Sequence, residues 1–255
     1  MQLARADFFG IAMADVITTV DFGRHNADLH AANARLTAEG SWKKQRIVYV
    51  IPAGQKIDTY VYVAHRSLIF PPNQPMVPLA IRNAEVGAAF DEAFNLILGH
   101  PDLSQFEYVL TIEHDNIPPQ DGVIKLIKAM ETHPHLDAIS GLYWTKGEGG
   151  VPQIWGDITD PVENYRPQRP EPGKVVECYG IGMGFVLYRM GMFKTLHEKK
   201  VPRPWFKTLN GENGSGVGTQ DLFFWGRVAR PNGFRCGVDC NTLVGHYDDR
   251  SGISW

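Results

Sequence analysis

The chain has 255 residues, of which 44% are hydrophobic and 21% charged, with a formal net charge of −3 at pH 7. That length can bury one large core or two small ones, and the composition is that of an ordinary globular protein. The small negative charge offers no electrostatic case for binding nucleic acid or an anionic membrane.

In chain order, the first 45 or so residues carry helical patches without a clear role, and they are read as an N-terminal extension. Residues 46–51 (RIVYVI) predict a strand closed by Pro52-Ala-Gly54. Residues 58–64 and 76–81 predict two more strands, separated by a proline-rich stretch at 70–75. Over 83–98, Val86, Ala89, Phe90, Ala93, Phe94 and Ile97 recur at helical spacing. A strand at 108–112, an amphipathic helix at about 121–131 and a strand at 136–140 follow. Strands alternating with helices predict an α/β fold: a mostly parallel central sheet flanked by helices, with a Rossmann-like nucleotide-binding half. The second half reads as loop-rich between 147 and 173, with a short strand candidate at 151–155. Strands at 175–179 and 183–188 and a helix at 190–199 come next. Residues 210–218 (NGENGSGVG) read as a mobile loop. Thr219 is a candidate N-cap for a helix running to about Arg230, and a last strand is expected at 234–238.

The strand at 108–112 ends in Glu113-His-Asp115 and then meets Pro118 and Pro119. Residues two apart on a strand share a face, so the two carboxylates can converge on one ligand. Ligands of parallel sheets bind beyond the carboxyl ends of the strands, which is where this pair falls. Oxygen ligands there suit Mn²⁺ or Mg²⁺ carrying a phosphate-bearing substrate. A solvated acidic turn is the other reading.

Three cysteines, Cys178, Cys236 and Cys240, form no disulfide framework, which favours a reducing compartment. Cys236 and Cys240 are either a metal clip or, with no second pair to complete a zinc set, buried small hydrophobes. The early residues lack a leader pattern and no apolar run approaches a membrane span, so a soluble cytoplasmic protein is the expectation.

Taken together, five landmarks in order resemble the GT-A-fold glycosyltransferases, of the small kind found in bacteria and phages. They are Ile51-Pro-Ala53 after the first strand, Ala93-Phe-Asn95 in the helix, Glu113-His-Asp115 where an Asp-x-Asp motif belongs, Gly182-Met-Gly-Phe-Val-Leu-Tyr-Arg189, and Thr219-Gln-Asp221 followed by a late His246. The resemblance spans residues 46–248 and implies a single domain over 46–255. Its nucleotide-sugar-binding half is 46–145 and its acceptor and catalytic half is 146–255.

What the resemblance implies is a metal-dependent transfer of a hexose-like sugar from a nucleotide-diphosphate donor, a UDP-sugar favoured, to an acceptor hydroxyl. Asp115 and His246 are the implied ligands of Mn²⁺ or Mg²⁺, and Pro52, Ala53, Asn95 and Glu113 the implied nucleotide contacts. Lys146 is a candidate point charge for the departing diphosphate or a solvated loop lysine. Asp221 is the implied base of an inverting transfer, or else a carboxylate that complements a helix N-terminus. Gly182, Met183, Trp205 and Gln220 are candidates for the acceptor side, with Trp205 either a sugar-stacking ring or core. His246 has the alternative of a structural histidine. Phe94 and Gln220 depart from the family's usual arginine and glutamate. The acceptor (a glycan, a protein or a modified base) and the oligomeric state are not legible. Two other functions stay open: a retaining transferase on the same fold, and a catalytically silent sugar- or nucleotide-binding module.

Overall fold

The computed structural model describes residues 15–18, 34, 44–72, 74–210 and 217–255. The expected mobile loop falls largely on 211–216, outside the described residues.

The acidic strand lies at the centre of the fold. Among the described residues, strands β1 (Asp15–Thr18), β2 (Ile47–Ala53), β3 (Met76–Arg82) and β4 (Tyr108–Ile112) make one side of a nine-stranded sheet. Strands β6 (Ala138–Leu142), β7 (Ile154–Asp157), β8 (Val175–Ile181), β9 (Phe185–Arg189) and β12 (Cys236–Leu243) complete it. The order is β1-β3-β2-β4-β9-β6-β12-β8-β7. β2 pairs in parallel with both β3 and β4, and β6 pairs in parallel with β12. β9 is inserted antiparallel between β4 and β6, which leaves those two pointing the same way. Thus β3, β2, β4, β6, β12 and β7 share one direction, and β1, β9 and β8 oppose it. The sheet is continuous across both halves of the chain, and β1 places part of the N-terminal extension on its edge.

Strand periodicity divides the core between the two faces of the sheet. Val48 and Val50 of β2 and Val109 of β4 pack on one face with helix α2 (Val86–Gly99). Ile47, Tyr108, Leu110 and Ile112 pack on the other with α3 (Gly122–Thr132). Every residue of β4 is buried, as a strand covered on both faces must be. α2 begins where the Glu85 side chain accepts the Ala88 N–H at 3.1 Å, and it buries Ala89, Phe90, Ala93, Phe94 and Ile97. Phe94 stacks on Phe193 at 3.9 Å and on Phe206 at 5.2 Å between ring centroids. Burying each such side chain contributes roughly 1.5–3 kcal/mol. Phe193 comes from α4 (Met190–Glu198). This explains the aromatic residue where the family resemblance expects arginine: the position faces core.

Two expectations are corrected. Residues 58–64 do not form a strand. They belong to helix α1 (Thr59–Arg66), whose N-cap Asp58 accepts the Tyr60 N–H at 2.7 Å. The β-branched and aromatic run suggested a strand, but the capping aspartate and one inward stripe (Val61, then His65) decide for a helix. The helix from Thr219 does not run regularly to Arg230 either. Only α5 (Gln220–Phe223) is α-helical, and a wide π turn follows over Phe224–Ala229. Thr219 stands at its N-cap without a capping side-chain bond. All three cysteines are free and buried, as small hydrophobes. Among the described residues, no helix is long and apolar enough to cross a membrane.

Candidate active site

Beyond the C-terminal end of β4 the chain makes a tight turn, in which the Asn116 N–H donates to the Glu113 carbonyl at 3.1 Å. A short strand, β5 (Asn116–Ile117), then pairs antiparallel with β13 (Gly245–Asp248). The register sets His246 opposite Asn116, and the Tyr247 N–H donates to the Asp115 carbonyl at 2.7 Å. Backbone pairing therefore carries a histidine from the far end of the sequence to the side of Asp115. On the outer side β13 pairs with β14 (Ile253–Ser254), and His246 exchanges backbone hydrogen bonds with Trp255 at 2.9 and 3.0 Å.

The side chains converge accordingly. Lys146 Nζ lies 2.6 Å from Asp115 Oδ2, and His246 Nε2 lies 3.6 Å from the same oxygen. His246 Nδ1 is 2.7 Å from the Trp144 carbonyl, which can only accept, so Nδ1 carries the hydrogen and Nε2 faces the carboxylate. Asp115 Oδ1 is buried without a hydrogen-bond partner. Burial alone would raise the Asp115 pKa, but His246 and Lys146 outweigh it and hold the carboxyl well below the usual range. Glu113, on the same side, accepts from Gln220 Nε2 at 3.3 Å. Burial first, then the charges of Asp115 and Asp221, pushes its carboxyl up to about 8.

A group whose folded pKa is raised keeps its proton in the folded state after the unfolded chain has lost it. Its stabilising contribution is complete below the ordinary value of 4.5 and is lost as pH rises through about 8. In chelator-containing buffer, urea unfolding of the wild type is expected to lose about 1–3 kcal/mol more between pH 5 and 8.5 than Glu113→Gln does. Parallel pH profiles for the two proteins would exclude a perturbed Glu113.

A cavity of about 590 Å³ opens beside these groups. Its walls are residues 52–55 after β2, Asn83 and Ala84 after β3, Val86, residues 113–115, and Gln220. Asn83 adopts a positive φ of 60°, which turns the chain sharply where β3 meets the cavity. Behind the turn, the Gly184 N–H donates to Tyr143 Oη at 2.8 Å, and the Gly184 carbonyl accepts the Glu113 N–H at 3.0 Å. A Cβ at Gly184 would sit 2.7 Å from Asn116 Cγ, so only glycine lets β9 approach this closely. A second cavity, of about 540 Å³, lies away from this centre, along Lys125, Lys128 and Lys174.

The structure thus gathers Pro52, Ala53, Glu113, Asp115 and Gln220 on the wall of one cavity, and brings Lys146 and His246 onto the Asp115 carboxylate without placing them on that wall. Asp221 is close enough for its charge to act on Glu113, but its carboxylate does not line the cavity. It is 7% exposed, accepts the Leu222 N–H at 2.8 Å, and has its pKa raised by burial. Gly182 and Met183 are buried behind the site: the Met183 carbonyl accepts from Thr111 Oγ1 at 2.9 Å, and a Cβ on Gly182 would strike Tyr143 Oη. Two candidates fall outside. Asn95 is exposed on α2 and absent from the cavity wall, because the helix turns its neighbours Ala93, Phe94 and Ile97 inward. Trp205 is 1% exposed, stacked near Phe193, with Nε1 donating to the Val201 carbonyl at 3.0 Å; it is core, not a sugar platform.

Sequence reasoning missed His65 and Tyr143. His65 Nε2 is 2.9 Å from the Asn116 carbonyl and braces the acidic turn from α1. Once residues 58–64 are read as a strand, no helical register brings His65 inward. The Tyr143 ring meets His246 edge-on at 5.5 Å. Among the described residues, no three His, Cys, Asp or Glu side chains gather as a metal-binding group.

The fold is a GT-A-like α/β architecture: a central sheet flanked by helices, with the cavity beyond the C-terminal ends of β2, β3 and β4. No protein-family model and no curated protein matches the chain. Among solved structures, A197 from STIV is similar over 80% of this chain and 87% of its own, at 15% identity and a TM-score of 0.54. TarS from S. aureus (residues 1–349, in complex with UDP-GlcNAc) aligns over 78% of this chain and 57% of its own, at 12% identity and a TM-score of 0.47. The likeness to A197 is one of fold alone.

Proposed function

We propose that this protein is a metal-dependent glycosyltransferase that moves a sugar from a nucleotide-diphosphate donor, a UDP-sugar favoured, to an acceptor hydroxyl with inversion. The observation that carries the reading is the convergence of His246 and Lys146 on Asp115, a carboxylate that lines the cavity after β2 and β4. The donor set suits Mn²⁺ or Mg²⁺: one carboxylate, one imidazole nitrogen aimed by its other nitrogen's hydrogen bond, and a buried carboxylate oxygen lacking a partner. Asp115 and His246, whose facing atoms lie 3.6 Å apart, would be the residues to hold such an ion. Such an ion would supply charge neutralisation for the diphosphate as the glycosidic bond breaks.

The chain's own residues then have distinct tasks. Pro52 and Ala53 shape the nucleotide wall, Glu113 faces the ribose, and Lys146 meets the diphosphate as a mobile ammonium. Asp221, with proton affinity raised by burial, is the proposed base for the acceptor hydroxyl. Gln220 leads from it to the acceptor side, backed by the Gly182-Met183 segment. In this reading residues 46–255 form the catalytic unit, residues 1–45 are an extension, and the buried free cysteines suit the cytoplasm. The acceptor is a glycan, a protein or a modified base.

The test is a thermal-shift screen of nucleotides and nucleotide-sugars with and without Mn²⁺. A ligand at a hundred times its Kd stabilises the folded state by about 2.7 kcal/mol, a rise of several degrees. If no nucleotide raises the melting temperature with or without Mn²⁺, the transferase reading fails. A retaining transfer has one observation in its favour, that Asp221 does not line the cavity. The anomeric configuration of the product decides between the two.

A further inference from the structure

Asp115 is held by backbone pairing and by a side chain bonded to the next residue. Its carbonyl accepts from Tyr247, the next residue pairs with His246, and the carbonyl of Asn116 is braced by His65. His246 is fixed as well, by strand pairing and by the Trp144 carbonyl on Nδ1. Lys146 is different. It sits on the loop that leaves β6, its side chain is 30% exposed, and its ammonium ends a flexible four-carbon stem. Of the three side chains, it alone is free to leave without moving a strand.

The position it occupies is the one a divalent cation requires. Lys146 Nζ is 2.6 Å from Asp115 Oδ2, the oxygen that His246 Nε2 also faces at 3.6 Å, while Oδ1 stays buried and unpartnered. An ammonium and a metal ion cannot share that oxygen, because two like charges a few ångströms apart repel strongly in a partly buried site. Without any cation, however, Asp115 would be a poorly solvated carboxylate with no compensating charge.

We propose that Lys146 is a built-in counter-cation for Asp115, displaced when a divalent cation binds between Asp115 and His246. The acidic turn is neutralised in both states, by Lys146 before the metal arrives and by the metal afterwards. Metal affinity is thereby lowered by competition. The displaced ammonium, with three donors and a long reach, becomes available to the diphosphate; this last part rests on the proposed transferase reading, whereas the exchange itself does not.

The experiment is calorimetric titration of MnCl₂, without nucleotide, into wild type, Lys146→Met, Lys146→Arg and the double variant Lys146→Met/Asp115→Asn. Lys146→Met removes the charge and keeps most of the stem. It is expected to bind Mn²⁺ about tenfold or more tightly than wild type, by loss of the competing ion pair. Lys146→Arg should bind like wild type, and the double variant should lose the gain. If Lys146→Met is too unstable to titrate, Lys146→Gln serves, and for either a larger Mn²⁺-dependent rise in melting temperature than in wild type reports the same gain. Equal or weaker Mn²⁺ affinity in the neutral variants overturns the exchange, including the case in which no protein binds Mn²⁺.

A second titration, UDP at saturating Mn²⁺, separates the two readings. Weaker UDP binding in Lys146→Met, opposite in sign to its tighter Mn²⁺ binding, is the expected pair of results. Unchanged UDP affinity overturns the move of Lys146 to the diphosphate. Tighter Mn²⁺ binding with no UDP binding to any variant sinks the donor reading and leaves the exchange standing.

Discussion

Asp115→Ala is expected to lower kcat/KM for transfer from a nucleotide-diphosphate sugar by about 1,000-fold or more, measured by release of the nucleoside diphosphate. The size follows from what one carboxylate serves at once. It is the proposed acidic ligand beside His246, the anchor of Lys146, and part of a turn after β4 that the β5–β13 pairing holds in place. Stability should change little, because the ion pair lost is partly exposed and the Lys146 left behind can reach water. Loss of turnover without loss of the folded state would thus assign the effect to chemistry. Asp115→Asn keeps the shape and removes the charge, and should be nearly as inactive. Turnover within tenfold of wild type in Asp115→Ala would remove Asp115 from the proposed mechanism.

Asp221→Asn is expected to reduce kcat by about 100- to 10,000-fold while KM for the donor stays within a few-fold. The substitution is a clean one. The amide oxygen of asparagine can still accept the Leu222 N–H at the start of α5, so the helix end is preserved. What is removed is the negative charge, with it the ability to take a proton and the repulsion felt by Glu113. If Asp221 is the base, the wild-type rate should rise with pH as the carboxyl ionises, at a pH displaced upward from the ordinary carboxylate range by burial, and the residual rate of Asp221→Asn should lack that limb. Asp221 lies off the cavity wall, so the kinetic split has real power to discriminate. A variant with kcat near wild type would show that Asp221 only shapes the helix, and would favour retention of configuration.

Much of the acidic strand and its surroundings was legible in the chain because local rules governed it. The Tyr108-to-Ile112 strand was readable to the residue, since a strand buried on both faces must be an unbroken apolar and β-branched run. Glu113 and Asp115 were readable because strand alternation puts them on one side, and the prolines after them end the pairing. Helix α2 was readable from the spacing of its inward residues. Where local signals conflicted, the reading failed. Residues 58–64 combine strand-like side chains with a capping aspartate, and packing of one face chose the helix. Trp205 looked like a loop aromatic free to stack on a sugar, but the fold folds that loop over Phe193 and Phe94 and buries it. Asn95 carried a family-like motif, yet helical phase sends it to solvent.

By itself, then, the amino-acid sequence determined the acidic strand end, the α/β alternation around it and the list from which the site is drawn, because periodicity, capping and proline placement act over a few residues. Only the tertiary structure decided which members of that list meet. The antiparallel register of β5 with β13 brought His246 to Asp115 across 131 positions, and the loop after β6 laid Lys146 on the same oxygen. Such contacts depend on register and loop path, which no local pattern encodes; one residue of slip would have turned His246 away from the carboxylate.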